Sequence, residues 1–82
     1  MSSEKKYLVI FDVGTTAVKT VIFNVDGFIV GKAYQEYPTA TPSPGIVEQN
    51  PEDWWNALKT SAKKAFGLSN IDPKDVAGIG VI

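Results

Sequence analysis

The sequence predicts an α/β domain: a three-stranded antiparallel meander, a crossover helix, and a fourth strand parallel to the first, together an incomplete domain. Three observations predict it. Residues 7–36 hold three segments rich in apolar and β-branched residues, separated by glycine-containing turns. Residues 50–67 place helix start and stop signals around an amphipathic stretch. A last apolar segment, residues 76–82, follows that helix, and a strand reached through a crossover helix lies parallel to its neighbour.

The first strand, Tyr7 to Val13, is a nearly continuous apolar run, as a strand buried on both faces requires. Leu8 and Ile10 point to one face, Tyr7, Val9 and Phe11 to the other. Gly14-Thr15-Thr16 turns tightly into a second strand, Ala17 to Asn24. Asp26-Gly27 signals a hairpin, and Phe28 to Glu36 forms a third strand whose Lys32 and Gln35 suit a sheet edge. Tyr37 to Gln49 is expected to be a loop, because Pro38, Pro42 and Pro44 forbid helix and central strand alike.

Asn50 is placed to cap a helix, Pro51 fits its first position, and Glu52 and Asp53 meet the positive end of its dipole. Trp54, Trp55, Leu58, Ala62, Ala65 and Phe66 are expected on the face that meets the sheet, with Lys59, Lys63 and Lys64 opposite. The aromatic pair reads as packing rather than as a stacking platform. Gly67 is the expected terminator. After the turn Asn70 to Pro73 comes the last strand, Val76 to Ile82. One helix covers one face of such a sheet and leaves the other bare, although the first strand is apolar on both. These residues therefore read as the front of a longer polypeptide.

Composition narrows the chemistry. The chain has 82 residues, 44% hydrophobic and 21% charged, with neither Cys nor His. Thiolate chemistry, zinc sites of Cys or His, and triads with an imidazole base are thereby excluded. All 8 basic residues are Lys, against 9 acidic ones, a net charge of −1. Such a balance gathers neither nucleic acid nor anionic lipid, and without Arg there is no planar fork for guanine edges. No apolar run approaches the ~20 residues of a membrane span. A soluble, cytoplasmic protein with no nucleic-acid or membrane partner is the expectation.

One segment carries chemistry. Asp12 ends an otherwise apolar strand, and Gly14, Thr15, Thr16 and Lys19 follow within eight residues. The turn amides and hydroxyls could form an anion-binding nest, Lys19 could neutralise a phosphate, and Asp12 could hold Mg²⁺ through water. A structural reading stands beside this one, in which Asp12 merely accepts bonds from the turn amides. No helix follows the glycine, so this is not a P-loop.

The stretch Asp12-Val13-Gly14-Thr15-Thr16-Ala17-Val18-Lys19 resembles the first phosphate motif of the actin-like ATPase superfamily. The hairpin at Asp26-Gly27, then Tyr37-Pro38, then Pro44-Gly45-Ile46-Val47-Glu48-Gln49-Asn50-Pro51 leading to Trp54-Trp55, is similar to the amino terminus of the FGGY carbohydrate kinases. Ala77-Gly78-Ile79-Gly80-Val81 resembles that family's next strand, and the likeness runs in order from Tyr7 onward.

The resemblance implies a ribonuclease H-like fold, with residues 1–82 as the amino-terminal part of the kinase's N-terminal domain. It implies ATP and Mg²⁺ as cofactors and a small sugar or polyol as substrate. By carry-over, Asp12 sits near the metal and the γ-phosphate, Gly14, Thr15 and Thr16 contact phosphate, and Lys19 neutralises charge. The catalytic base, the sugar-binding residues and the adenosine site are expected outside these residues. Ala17 and Val18 lack hydroxyls found in many members, and Ile46 stands where a Trp is usual. The stretch from Glu36 to Trp55 looks most like xylulokinases, with glycerol and gluconate kinases as alternatives. Other readings are a different actin-superfamily ATPase, or a non-catalytic module that assembles through its bare sheet face. Homo-oligomerisation, or association through that face, is expected in either setting.

Overall fold

Strand β1, Tyr7–Val13, lies inside a four-stranded sheet, as its two-sided apolar sequence requires. A computed structural model describes residues 6–38, 40–43, 46–48 and 50–82 of the chain. Residues 1–5 and Pro44, Gly45 and Gln49 of the sequence motif lie outside the described residues. Strand β2, Ala17–Asn24, pairs antiparallel with β1, placing Val9 opposite Ile22, Phe11 opposite Thr20, and Asp12 opposite Lys19. Strand β3, Ile29–Glu36, pairs antiparallel with β2 and forms one edge, where the sequence put it.

The β2–β3 hairpin is built by two residues. Gly27 takes the left-handed conformation, φ 84°, and donates its N–H to the Asn24 carbonyl at 3.1 Å. Asn24 Oδ1 accepts from the backbone N–H groups of Asp26 and Phe28, each at 3.0 Å. The expected loop after β3 is not wholly irregular. Within it β4, Ala40–Ser43, and β5, Ile46–Glu48, form a separate two-stranded antiparallel sheet. A strand of so small a sheet is necessarily an edge, so Pro42 needs no ladder partner on its outer side.

Helix α1 runs Pro51–Ser69. Asn50 Oδ1 accepts from the Glu52 N–H at 3.0 Å, as the capping signal predicts. The far end differs from expectation. Gly67 stays inside the helix, and Asn70, at φ 57°, provides the left-handed cap with its N–H donated to the Phe66 carbonyl at 3.0 Å. Asn is the next residue after Gly to tolerate that conformation, and it stands where the helix face runs out. A 3₁₀ turn, Pro73–Asp75, then delivers β6, Val76–Val81, parallel to β1, giving the order β3-β2-β1-β6.

The helix lies over β2 and β3. Its buried residues are Ala57, Ser61 and Ala65, with Leu58, Ala62 and Phe66 packed beside them. Across from them lie Val9, Phe11, Val18 and Ile22. The expectation that Trp54 and Trp55 join this core is corrected: they are 38% and 59% exposed. Trp55 lies under the Lys59 ammonium, 5.6 Å from its ring centroid, and Trp54 meets Tyr37 edge-on. Small residues hold the interface because the helix comes close. A Cβ on Gly31 of β3 would sit 2.8 Å from the Ala65 carbonyl oxygen. The opposite face of the sheet, carrying Leu8, Ile10, Val21 and Phe23, has no layer over it among the described residues. No helix among those residues is long and apolar enough to cross a membrane.

Candidate functional site

The end of β1 and the start of β2 meet at the turn Gly14-Thr15-Thr16, whose three residues are exposed. Gly14 closes it by donating its N–H to the Ala17 carbonyl at 2.9 Å. That amide is therefore used within the turn, and a Cβ on Gly14 would lie 3.2 Å from the same Ala17 oxygen. Glycine here fits the tightness of the turn.

Asp12 and Lys19 are direct cross-strand partners, so both side chains stand on the sheet face away from α1. Tyr34 of β3 is in turn the partner of Lys19. The three form a row across the sheet, and a cleft of about 190 Å³ opens between Asp12, Gly14, Ala17, Lys19 and Tyr34. Asp12 and Lys19 are exposed, and among the described residues neither side chain makes an ion pair or a hydrogen bond. Opposite charges on adjacent strands that remain unjoined offer a place for a ligand with anionic and metal-bound groups. The structural reading, in which Asp12 is occupied by turn amides, finds no such bond here. A larger open groove, about 820 Å³, runs along the β3 edge from Lys19 to Leu68. It shares Lys19 and Tyr34 with the cleft but holds no carboxylate.

The residues suit a Mg²⁺ ion that is carried mainly by phosphate. Asp12 is the carboxylate that could hold such an ion through water, and no group of three or more acidic residues gathers among the described residues to make an all-protein cage.

One residue that sequence reasoning did not single out for the site is Tyr37. It is buried, receives the end of β3, and donates its phenolic O–H to the Gly14 carbonyl. Its backbone N–H donates to the Thr16 carbonyl at 3.0 Å. A tyrosine one residue past an edge strand gives no local signal of such a role.

Known proteins resemble this chain in sequence and in fold. The sequence model of the N-terminal domain of the FGGY family of carbohydrate kinases matches residues 7–82. Glycerol kinase 2 of Saccharolobus solfataricus is 39% identical over 75 residues, which is 92% of this chain and 15% of that protein. The glycerol kinase of Pediococcus pentosaceus is 40% identical over 76 residues, 93% of this chain and 15% of its own length. Among solved structures, a xylulose kinase from Brucella ovis superposes with a TM-score of 0.85 at 28% identity, over 92% of this chain and 16% of that one. The chain thus spans about 15% of the length of the curated relatives it matches.

Proposed function

This chain belongs to the FGGY family of carbohydrate kinases, and from that premise we propose that it supplies the phosphate-holding corner of an ATP-dependent sugar or polyol kinase. The observation that carries the proposal is the unjoined pair of Asp12 and Lys19, set beside the exposed Gly14-Thr15-Thr16 turn.

In this reading Lys19 lies against the terminal phosphates of ATP and offsets their charge. Thr15 and Thr16 contact phosphate at the tip of the turn, and Gly14 keeps the turn tight enough for phosphate to approach. Asp12 would hold Mg²⁺ through water, and the ion would supply charge neutralisation to the phosphates. Phosphoryl transfer depends mainly on positioning and charge stabilisation, which are the properties these groups have. In this reading the base for the acceptor hydroxyl lies outside these residues, because Asp12, if it serves the metal, is not free to take that proton as well. A cytoplasmic site of action accords with ATP as donor.

The acceptor is a small polyol or sugar. Curated relatives are glycerol kinases, and similar solved structures are xylulose and gluconate kinases. D-Xylulose, the acceptor suggested by the Glu36 to Trp55 stretch, therefore stands beside glycerol and D-gluconate as a candidate. The test is ADP formation by a full-length protein carrying this segment, supplied with MgATP and with glycerol, D-xylulose or D-gluconate in turn. Acceptor-dependent ADP release with one of them supports the proposal. Hydrolysis of ATP at the same rate with and without every acceptor would support a different ATPase of the same superfamily instead.

A further inference from the structure

We infer that Tyr37 is a positioning residue for the phosphate turn, an inference that rests on the reading of Gly14-Thr15-Thr16 given above. Tyr37 is 6% exposed and sits on the helix side of the sheet, whereas Asp12 and Lys19 stand on the other side. Its O–H holds the Gly14 carbonyl, and its N–H holds the Thr16 carbonyl at 3.0 Å. These carbonyls belong to the first and the last residue of the turn.

The consequence follows from peptide planarity. A carbonyl and the N–H of the next residue share one rigid trans unit and point in opposite directions. Fixing the Gly14 carbonyl toward Tyr37 therefore fixes the plane of the Gly14–Thr15 peptide and keeps its oxygen on the helix side. Fixing the Thr16 carbonyl also keeps the negative end of that peptide dipole away from an approaching anion. Without this anchor, either peptide could rotate and present an oxygen to phosphate, which repels it. Tyr37 is itself braced, since its ring meets Trp54 in the first turn of α1 at 6.4 Å between centroids and 62° between planes. The helix start, Tyr37 and the turn thus form one chain of contacts, and Trp54 has a use at the end of it.

The experiment uses the full-length protein and the non-hydrolysable probe Mg·AMP-PNP, titrated calorimetrically into the wild type and Tyr37→Phe. Phe keeps the ring and its contact with Trp54, so only the hydroxyl is lost. Binding should weaken by about three- to tenfold, the worth of one hydrogen bond. Amide exchange in the peptide spanning Gly14 to Ala17 should quicken, while exchange in β3 stays as it was. Thr16→Val and Lys19→Met test the underlying reading in parallel. If those two weaken the probe and Tyr37→Phe changes neither affinity nor exchange, Tyr37 is not a positioning residue and the phosphate reading stands. If Thr16→Val and Lys19→Met both bind the probe like wild type, the phosphate reading fails and takes this inference with it.

Discussion

Asp12 is a charged residue at the end of a strand whose neighbours are apolar, and among the described residues its side chain makes no hydrogen bond or ion pair that would explain it structurally. In a full-length protein, Asp12→Ala should lower kcat on the order of 10²-fold, with a smaller effect on acceptor affinity. Steady-state kinetics and a thermal melt decide it: a lowered melting temperature with unchanged turnover would return Asp12 to a structural role. A second residue-scale prediction concerns a buried polar contact. Thr20 Oγ1 and Ser61 Oγ lie 2.6 Å apart, both fully buried, and Ser61 also donates to the Leu58 carbonyl at 3.1 Å. With that proton committed, Thr20 is the donor between them. Ser61→Ala leaves the Thr20 hydroxyl with no acceptor in the core and should cost about 1–3 kcal/mol. Thr20→Val removes the donor and leaves Ser61 its carbonyl, so it should cost less. Melting both variants checks the order; equal losses would mean that Thr20 finds another acceptor.

Elements meet here through glycines of opposite kind. A Cβ on Gly31 would lie 2.8 Å from both the Ala65 carbonyl oxygen and Ser69 Cβ, atoms that move only if the helix backbone moves. Gly31→Ala should therefore lift α1 off β3 and cost about 1–3 kcal/mol. Gly67 is inside the same helix with nothing within 4 Å of an added Cβ, so Gly67→Ala should stabilise by roughly 0.5–1 kcal/mol. Two melts of opposite sign would check this, and a neutral Gly31→Ala would show that the close approach is slack. The four strands of the main sheet, their order and the start of α1 were legible because each rests on local chemistry: β-branched runs, Asp26-Gly27, Asn50-Pro51; β4 and β5 were not, since their segment's prolines read as a loop. The buried face of the helix was legible in part: Leu58, Ala62, Ala65 and Phe66 were expected there and pack there, whereas Ala57 and Ser61 were not singled out. Residue size suggested Trp54 and Trp55, yet the helix side chains that are buried are the small ones of Ala57, Ser61 and Ala65, and at Ala65 the helix backbone comes close against Gly31. Asp12 and Lys19 were legible as a pair, and the register set them opposite each other. Tyr37 was not legible, because its partners are backbone carbonyls some twenty residues away, which carry no sequence signature.

For the whole molecule, the decisive property is apolar surface left uncovered on both sides of the sheet. Leu8 is 48% exposed on one face, and Ile79 and Val81, at 68% and 63%, lie on the helix side beyond the reach of α1. The 82-residue chain by itself should therefore self-associate, as sedimentation velocity would reveal. Leu8→Lys should reduce that association. A monodisperse monomer with a cooperative, high-temperature melt would contradict it. The same isolated chain should release no more ADP than a blank when given MgATP with glycerol, D-xylulose or D-gluconate, since the family resemblance puts the catalytic base and the adenosine site outside these residues. Acceptor-dependent turnover by a preparation free of host kinases would overturn that expectation.

The pairing of β1 with β6 also has a meaning in time. Val9 is made about seventy residues before its partner Ile79, an interval of roughly 4–14 seconds at ribosomal speed. Throughout that interval β2 can zip onto one side of β1, while the N–H and C=O groups along the other side wait for a strand not yet translated. The nascent chain thus passes through a stage with an apolar, unpaired central strand, open to neighbours on a polysome. Codons that slow translation ahead of Val76 would prolong this stage and lower soluble yield, although every residue of the finished protein would be the same.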